Sequence, residues 1–127
     1  MLGMPAIARL GAVSLDAVDP GPLARFYQDI LGLEVYYESP DFVALTGAST
    51  LLTFQRVKDM APADWPTGPI PKQMHLELSV DDLDAAEKAA IAAGARRAEE
   101  QPAPDRWRVM IDPAGHPFCL SNVIPEV

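Results

Sequence analysis

The sequence predicts an α+β fold of two βαβββ modules, which form a curved mixed sheet around a cleft with the helices outside. Three observations carry this reading. The order strand, helix, three strands occurs twice. Each helical pattern stops at a glycine, Gly32 and Gly94, the residue that most easily takes a left-handed terminus. A Pro-rich stretch without period separates the two copies. Aligning the helix starts sets Ala12 opposite His75, Leu15 opposite Leu78 and Asp19 opposite Asp82. The repeat is one of element order more than of residue identity.

The elements follow in order. Residues 10–17 alternate, Val13 and Leu15 against Ser14 and Asp16, as a half-buried strand does. Asp19 is placed to cap a helix whose first turn tolerates Pro20 and Pro22. Leu23, Phe26, Tyr27, Ile30 and Leu31 then recur at helical spacing. Strands are expected at 33–38, 42–45 and 51–57, separated by Ser39-Pro40-Asp41 and Gly47-Ala48-Ser49. Residues 58–72 read as a linker carrying Met60, Trp65 and Ile70, long enough to act as a lid or crossover. The second copy has a strand at 74–80, then Asp81 or Asp82 as cap for a helix bearing Leu83, Ala86, Ala90 and Ala93. Strands at 95–99, 106–111 and 118–123 close it, the last two joined by Asp112-Pro113-Ala114-Gly115. One domain over 1–127 is expected, with module one at about 8–57, the linker at 58–72 and module two at about 73–124.

Composition bounds the function. The 127 residues suit one domain. None of its apolar runs approaches the roughly 20 residues of a membrane span, so no membrane role is expected. The first fifteen residues lack a basic start followed by a long apolar run, so no secretory signal is expected. A net charge of -8 repels phosphate backbones, which argues against nucleic acid and favours solubility or a cationic ligand. The single cysteine, Cys119, allows no intrachain disulfide and fits a reducing, cytoplasmic location.

Three runs carry a family resemblance. Val18-Asp19-Pro20 through Leu23-Ala24-Arg25-Phe26-Tyr27 to Leu31-Gly32-Leu33 resembles the first helix of vicinal oxygen chelate proteins. His75-Leu76-Glu77-Leu78-Ser79-Val80-Asp81-Asp82-Leu83, with Gly94-Ala95, resembles the start of their second module. Trp107 with Asp112-Pro113-Ala114-Gly115-His116-Pro117-Phe118-Cys119-Leu120 resembles the closing hairpin. Phe54-Gln55-Arg56-Val57, the histidine strand and Phe118-Cys119-Leu120 make the chain most similar to the glyoxalase-like branch. The resemblance implies a cleft that binds a small molecule, a homodimer, and kinship with glyoxalase I, extradiol dioxygenases, methylmalonyl-CoA epimerase, fosfomycin resistance enzymes and bleomycin-binding proteins. Most of these bind a divalent metal in the cleft, and the bleomycin-binding proteins do not.

By that resemblance, four inward positions would hold the metal. They fall on Ala12, Gln55, His75 and Cys119. A methyl group cannot ligate, a glutamine oxygen binds hard cations weakly, and a thiolate suits zinc rather than magnesium or manganese. The expectation is therefore no cofactor and no usual metal site. A divalent metal held by His75 and Gln55 is the alternative. The bland reading of Cys119 is a small buried hydrophobe. His116, in a Gly-His-Pro turn, is expected to be exposed and without a role.

Period two gives the cleft lining. Ala12, Ser14 and Asp16 share a face with Thr53 and Gln55. His75, Glu77 and Ser79 share one with Pro117, Cys119 and Ser121. The result is a polar cleft, in which Trp107 and the linker residue Trp65 are candidate walls and one of Tyr36 and Tyr37 faces in. His75 and Glu77 are the candidate catalytic pair. Asp16, Gln55, Trp65, Trp107 and Cys119 are the candidate ligand-binding residues. Three functions stay open: a small-molecule-binding protein without the usual metal, a metal-dependent or cofactor-free lyase or isomerase using His75 and Glu77, and a non-catalytic dimerising partner module.

Overall fold

A computed structural model of the chain describes residues 6–63 and 68–125. Module one runs β1 (Ala12–Ala17), α1 (Pro20–Leu31), β2 (Glu34–Ser39), β3 (Phe42–Thr46) and β4 (Leu51–Arg56). Module two runs β5 (Leu76–Ser79), α2 (Leu83–Ala93), β6 (Arg96–Arg97), β7 (Trp107–Ile111) and β8 (Pro117–Ser121). Each module makes a four-stranded mixed sheet, in the orders β1-β4-β3-β2 and β5-β8-β7-β6, as the repeat predicts. The first and last strands of each module pair in parallel and the others antiparallel. The two sheets share no strand pairing among the described residues and do not close into a barrel.

The helix ends follow from local chemistry. Asp82 caps α2 by accepting from the Ala85 N–H at 3.0 Å. Asp19 holds the matching position before α1, but its side chain makes no capping bond. The third helical residue there is Pro22, which has no N–H to offer. Gly32 ends α1 at φ 66°, in the left-handed region.

Helix faces and the matching sheet faces build one core. Leu23, Phe26 and Tyr27 of α1 meet Val43, Leu45 and Phe54 of sheet one, and the same cluster continues into Leu83, Ala90, Met110, Phe118 and Leu120 of module two. Phe26 contacts Tyr27 edge-on at 4.9 Å and lies 5.8 Å from Phe118; Tyr27 stacks on Phe54 at 5.7 Å. Aromatic pairs of this kind contribute roughly 0.5–1.5 kcal/mol each beyond burial. Arg108 of β7 reaches Asp84 at 2.9 Å and Glu87 at 3.2 Å, pinning α2 to its sheet.

One strand expectation is corrected. The strand at 95–99 shrinks to Arg96–Arg97. The Ala98 N–H still donates to the Val109 carbonyl at 3.1 Å, but the return bond is lost to the Gln101 side chain, which accepts from the Val109 N–H and donates to the Ala98 and Val109 carbonyls, each at 2.9 Å. Tyr36 and Tyr37 are both exposed, as are the other residues of this outer strand from Glu34 to Glu38, and the β2–β3 register shifts between Val35 and Tyr37.

Candidate functional site

Cross-strand register assembles the chemistry in module two. His75 precedes β5 by one residue and Glu77 lies two further on, so both reach the same face. His75 Nε2 is 3.6 Å from Glu77 Oε2. The parallel β5–β8 pairing then sets Glu77 directly beside Cys119. One donor atom from each of His75, Glu77 and Cys119 lies within 4.8 Å of the others. With Trp107, Ser121 and Ile124, these residues line a hollow of about 410 Å³.

This face is less polar than the alternation implies. Cys119 is 1% exposed and packs with Ala98, Val109 and Trp107 in a small apolar cluster of its own. The bland expectation for the cysteine therefore holds, yet its sulfur also borders the hollow. Burial pushes the Cys119 thiol up to about 11, the Glu77 carboxylate pushes the same way, and the Lys72 charge acts against both.

A second hollow, about 440 Å³, lies between β1 and the start of β5. Val13, Leu15, Met60 and Met74 are among its apolar lining, and Ser14, Asp16, Gln73, His75 and His116 are its polar residues. His75 thus borders both hollows. Gln55, on the strand beside Asp16, is exposed and lines neither of the two. Trp65 lies outside the described residues, and Trp107 borders only the module-two hollow of the pair.

His116 corrects the expectation of an idle, exposed ring. It is half-buried, and its Nε2–H donates to the Asp16 carbonyl at 2.6 Å. A carbonyl can only accept, which fixes the tautomer. Its backbone N–H and that of Ala114 donate to Asp112 Oδ1 at 2.9 Å, while Tyr27 donates its hydroxyl to Asp112 Oδ2 at 2.7 Å. The buried Asp112 carboxylate thus ties α1 to the β7–β8 turn, and the His116 ring ties that turn to the end of β1. The phenol of Tyr27 is held well above its ordinary range by burial, and then by the neighbouring carboxylate. The sequence signal was present in Asp112-Pro113-Ala114-Gly115, where an Asp opens a turn and accepts from the N–H two residues on.

Comparison with known proteins gives the same architecture. Residues 12–121 match the family model described as glyoxalase-like domain. A glyoxalase/bleomycin resistance protein/dioxygenase family enzyme from Burkholderia phytofirmans is 22% identical, with 92% of this chain and 100% of that one covered and a TM-score of 0.71. A mutant fosfomycin resistance protein from Listeria monocytogenes, complexed with Mn(II) and 1S,2S-dihydroxypropylphosphonic acid, is 18% identical over 94% and 95%, with a TM-score of 0.72. The bleomycin-binding protein of Streptomyces verticillus, complexed with copper(II)-bleomycin, is 20% identical over 91% and 98%, with a TM-score of 0.59. At these identities the likeness is one of fold. No curated protein matches the chain.

Against the four-position metal pattern that the resemblance implies, the residues of module one do not fit. Ala12 offers a methyl group. The register pairs Ser14 with Thr53 in module one and Glu77 with Cys119 in module two, so the counterpart of Cys119 is the buried Thr53, and Gln55 sits two residues beyond, beside Asp16. Neither a neutral hydroxyl nor an amide replaces an anionic or imidazole donor.

Proposed function

This chain belongs to the glyoxalase-like domain family, and from that premise we propose that it is a small-molecule-binding protein that holds its ligand without the usual two-module metal site. One observation carries the reading. The hollow between β1 and β5 combines an apolar lining that includes Val13, Leu15, Met60 and Met74 with the polar residues Ser14, Asp16, Gln73, His75 and His116. Its volume falls in the range of small-molecule sites, roughly 300–1,000 Å³. Such a lining suits a ligand with an apolar body and a cationic or hydroxylated end that Asp16 receives. In this reading the two modules work as one domain, coupled by Tyr27–Asp112 across the shared core.

The test is a thermal-shift screen of small cationic and polyhydroxylated compounds, since a ligand that binds only the folded state raises the melting temperature. A hit should weaken on Asp16→Asn. A hit that is indifferent to Asp16→Asn and to Met74→Ala would place binding elsewhere and overturn the reading.

The reading includes a homodimer in a reducing cytoplasm. Its support is the outer edge of sheet one, where β2 has one strand neighbour and exposes Val35, Tyr36 and Tyr37. Sedimentation equilibrium that stays monomeric at high concentration would remove that part. The 3.6 Å approach of His75 and Glu77 favours a second reading, a lyase or isomerase that uses them as an acid–base pair. It expects His75→Ala to abolish turnover with the fold intact; an unchanged rate would sink it.

A further inference from the structure

We infer that the hollow between β1 and β5 selects the ammonium end of a primary amine, with His116 as the residue that accepts its N–H group. The inference rests on the small-molecule reading above and names the class of ligand.

Charge narrows the ligand first. Asp16 is the lining carboxylate, and no arginine or lysine lines the hollow among the described residues. An anionic ligand would meet like charge and no counter-ion, whereas a cation meets its partner. The net charge of -8 draws cations to the surface in the same sense. Val13, Leu15, Met60 and Met74 remain for the apolar body, and methionine adapts its shape to what it packs against.

Hydrogen bonding then decides which cation. The His116 ring gives its Nε2–H to the Asp16 carbonyl at 2.6 Å. In the neutral ring Nδ1 is then an acceptor, and it has no partner among the described residues. Asp112 accepts the backbone N–H of His116 at 2.9 Å, which holds the turn that carries the ring. Tyr27 also lines the hollow, and its hydroxyl hydrogen is already given to Asp112 at 2.7 Å. Asp16, His116 and Tyr27 therefore offer a ligand acceptors only. Ser14 and Gln73 can give or take, and both are exposed. His75 Nε2 lies 3.6 Å from Glu77 Oε2, beside the other hollow. An alkylammonium matches this set, because it stays protonated at neutral pH as lysine does and carries three N–H donors. A carboxylate or phosphate only accepts and does not match. A quaternary ammonium has charge without donors, so it satisfies Asp16 and leaves His116 unpaired.

The experiment is isothermal titration calorimetry on the full chain at neutral pH. It compares probes that share one apolar body: phenethylamine, its trimethylated ammonium, phenethyl alcohol and hydrocinnamate. Phenethylamine should bind tightest, the trimethylated ammonium and the alcohol should each be weaker by roughly 10-fold or more, and hydrocinnamate should release no heat. His116→Leu should abolish most of the preference for the amine over its trimethylated form. His116→Gln, which keeps one acceptor and one donor, should retain most of it. No heat from phenethylamine, hydrocinnamate bound as tightly, a trimethylated ammonium equal to the amine, or a preference untouched by His116→Leu would overturn the inference. If His116→Leu fails to fold by circular dichroism, the amine and its trimethylated form on the unmodified chain decide. The reading beneath it fails separately. Hydrocinnamate binding that weakens on Met74→Ala would keep the hollow as a ligand site while this inference falls. A thermal-shift screen whose hits all ignore Asp16→Asn and Met74→Ala would overturn both.

Discussion

Replacing Tyr27 by Phe removes one oxygen from the centre of the molecule. The lost bond is the hydroxyl to Asp112 Oδ2 at 2.7 Å, between residues 85 apart in sequence. Tyr27 is fully buried and Asp112 is 4% exposed, so water cannot replace the donor. A hydrogen bond to a charged group contributes roughly 1.5–3 kcal/mol, and Oδ1 keeps its two backbone donors, so about 2 kcal/mol is expected. For a chain of this size that lowers the melting temperature by roughly 6–10 °C. Asp112→Asn should cost less, about 1 kcal/mol, because the amide carbonyl can serve Ala114 and His116 while its N–H₂ donates to the Tyr27 oxygen. The pH dependence gives a second readout. A phenol whose folded pKa is raised contributes stability that is present below the ordinary value near 10 and is lost as pH rises above it. The alkaline fall in melting temperature should therefore be shallower in Tyr27→Phe. Calorimetry from pH 7 to 10.5 measures both effects. A melting temperature within about 1 °C of the parent at pH 7, on the same size scaling, would refute the idea that this bond joins the modules.

Two other outcomes are expected. Gly115 has φ +100°, and a Cβ there would stand 2.5 Å from Pro62 Cβ, so Gly115→Ala should destabilise by more than about 1 kcal/mol and push the linker off the hollow between β1 and β5; denaturant titration with ligand binding checks it, and a neutral result in both would show that the linker does not depend on this contact. Cys119 should react slowly with thiol reagents, because at pH 8 a thiol raised to about 11 carries roughly two hundred times less thiolate than an ordinary one; alkylation at the rate of free cysteine would contradict its burial.

Patterns that depend on near neighbours were legible in the chain. The alternation of Val13 and Leu15 with Ser14 and Asp16, the helical spacing through Tyr27, and the glycines at 32 and 94 each act within a few residues. The site was legible only in parts, because its geometry is set between strands. Nothing along the sequence says that Glu77 stands beside Cys119 rather than one rung away; the β5–β8 pairing decides that. The same dependence moved the counterpart of Cys119 from Gln55 to Thr53. Gln101 ended a strand early through side-chain bonds that a polarity pattern cannot show. His116 looked idle because its partner, the Asp16 carbonyl, is 100 residues away.

The cysteine keeps the module-two sheet face free of a buried charge. A carboxylate at position 119 would sit among Ala98, Val109 and Trp107, and a buried charge without a partner costs several kcal/mol. Such a residue makes a bound cation part of the stability of the fold. A thiol at the same place stays neutral, fills the space as a small hydrophobe, and demands no counter-charge. Burial and the Glu77 carboxylate both favour that neutral state. The packing at this face therefore asks for no counter-charge, and the hollow between β1 and β5 draws only His75 from the group of His75, Glu77 and Cys119. In module one the corresponding position is Thr53, buried and neutral as well, and Ala12 supplies no donor at all. Each module thus carries a buried, neutral side chain at this position, Thr53 in one and Cys119 in the other.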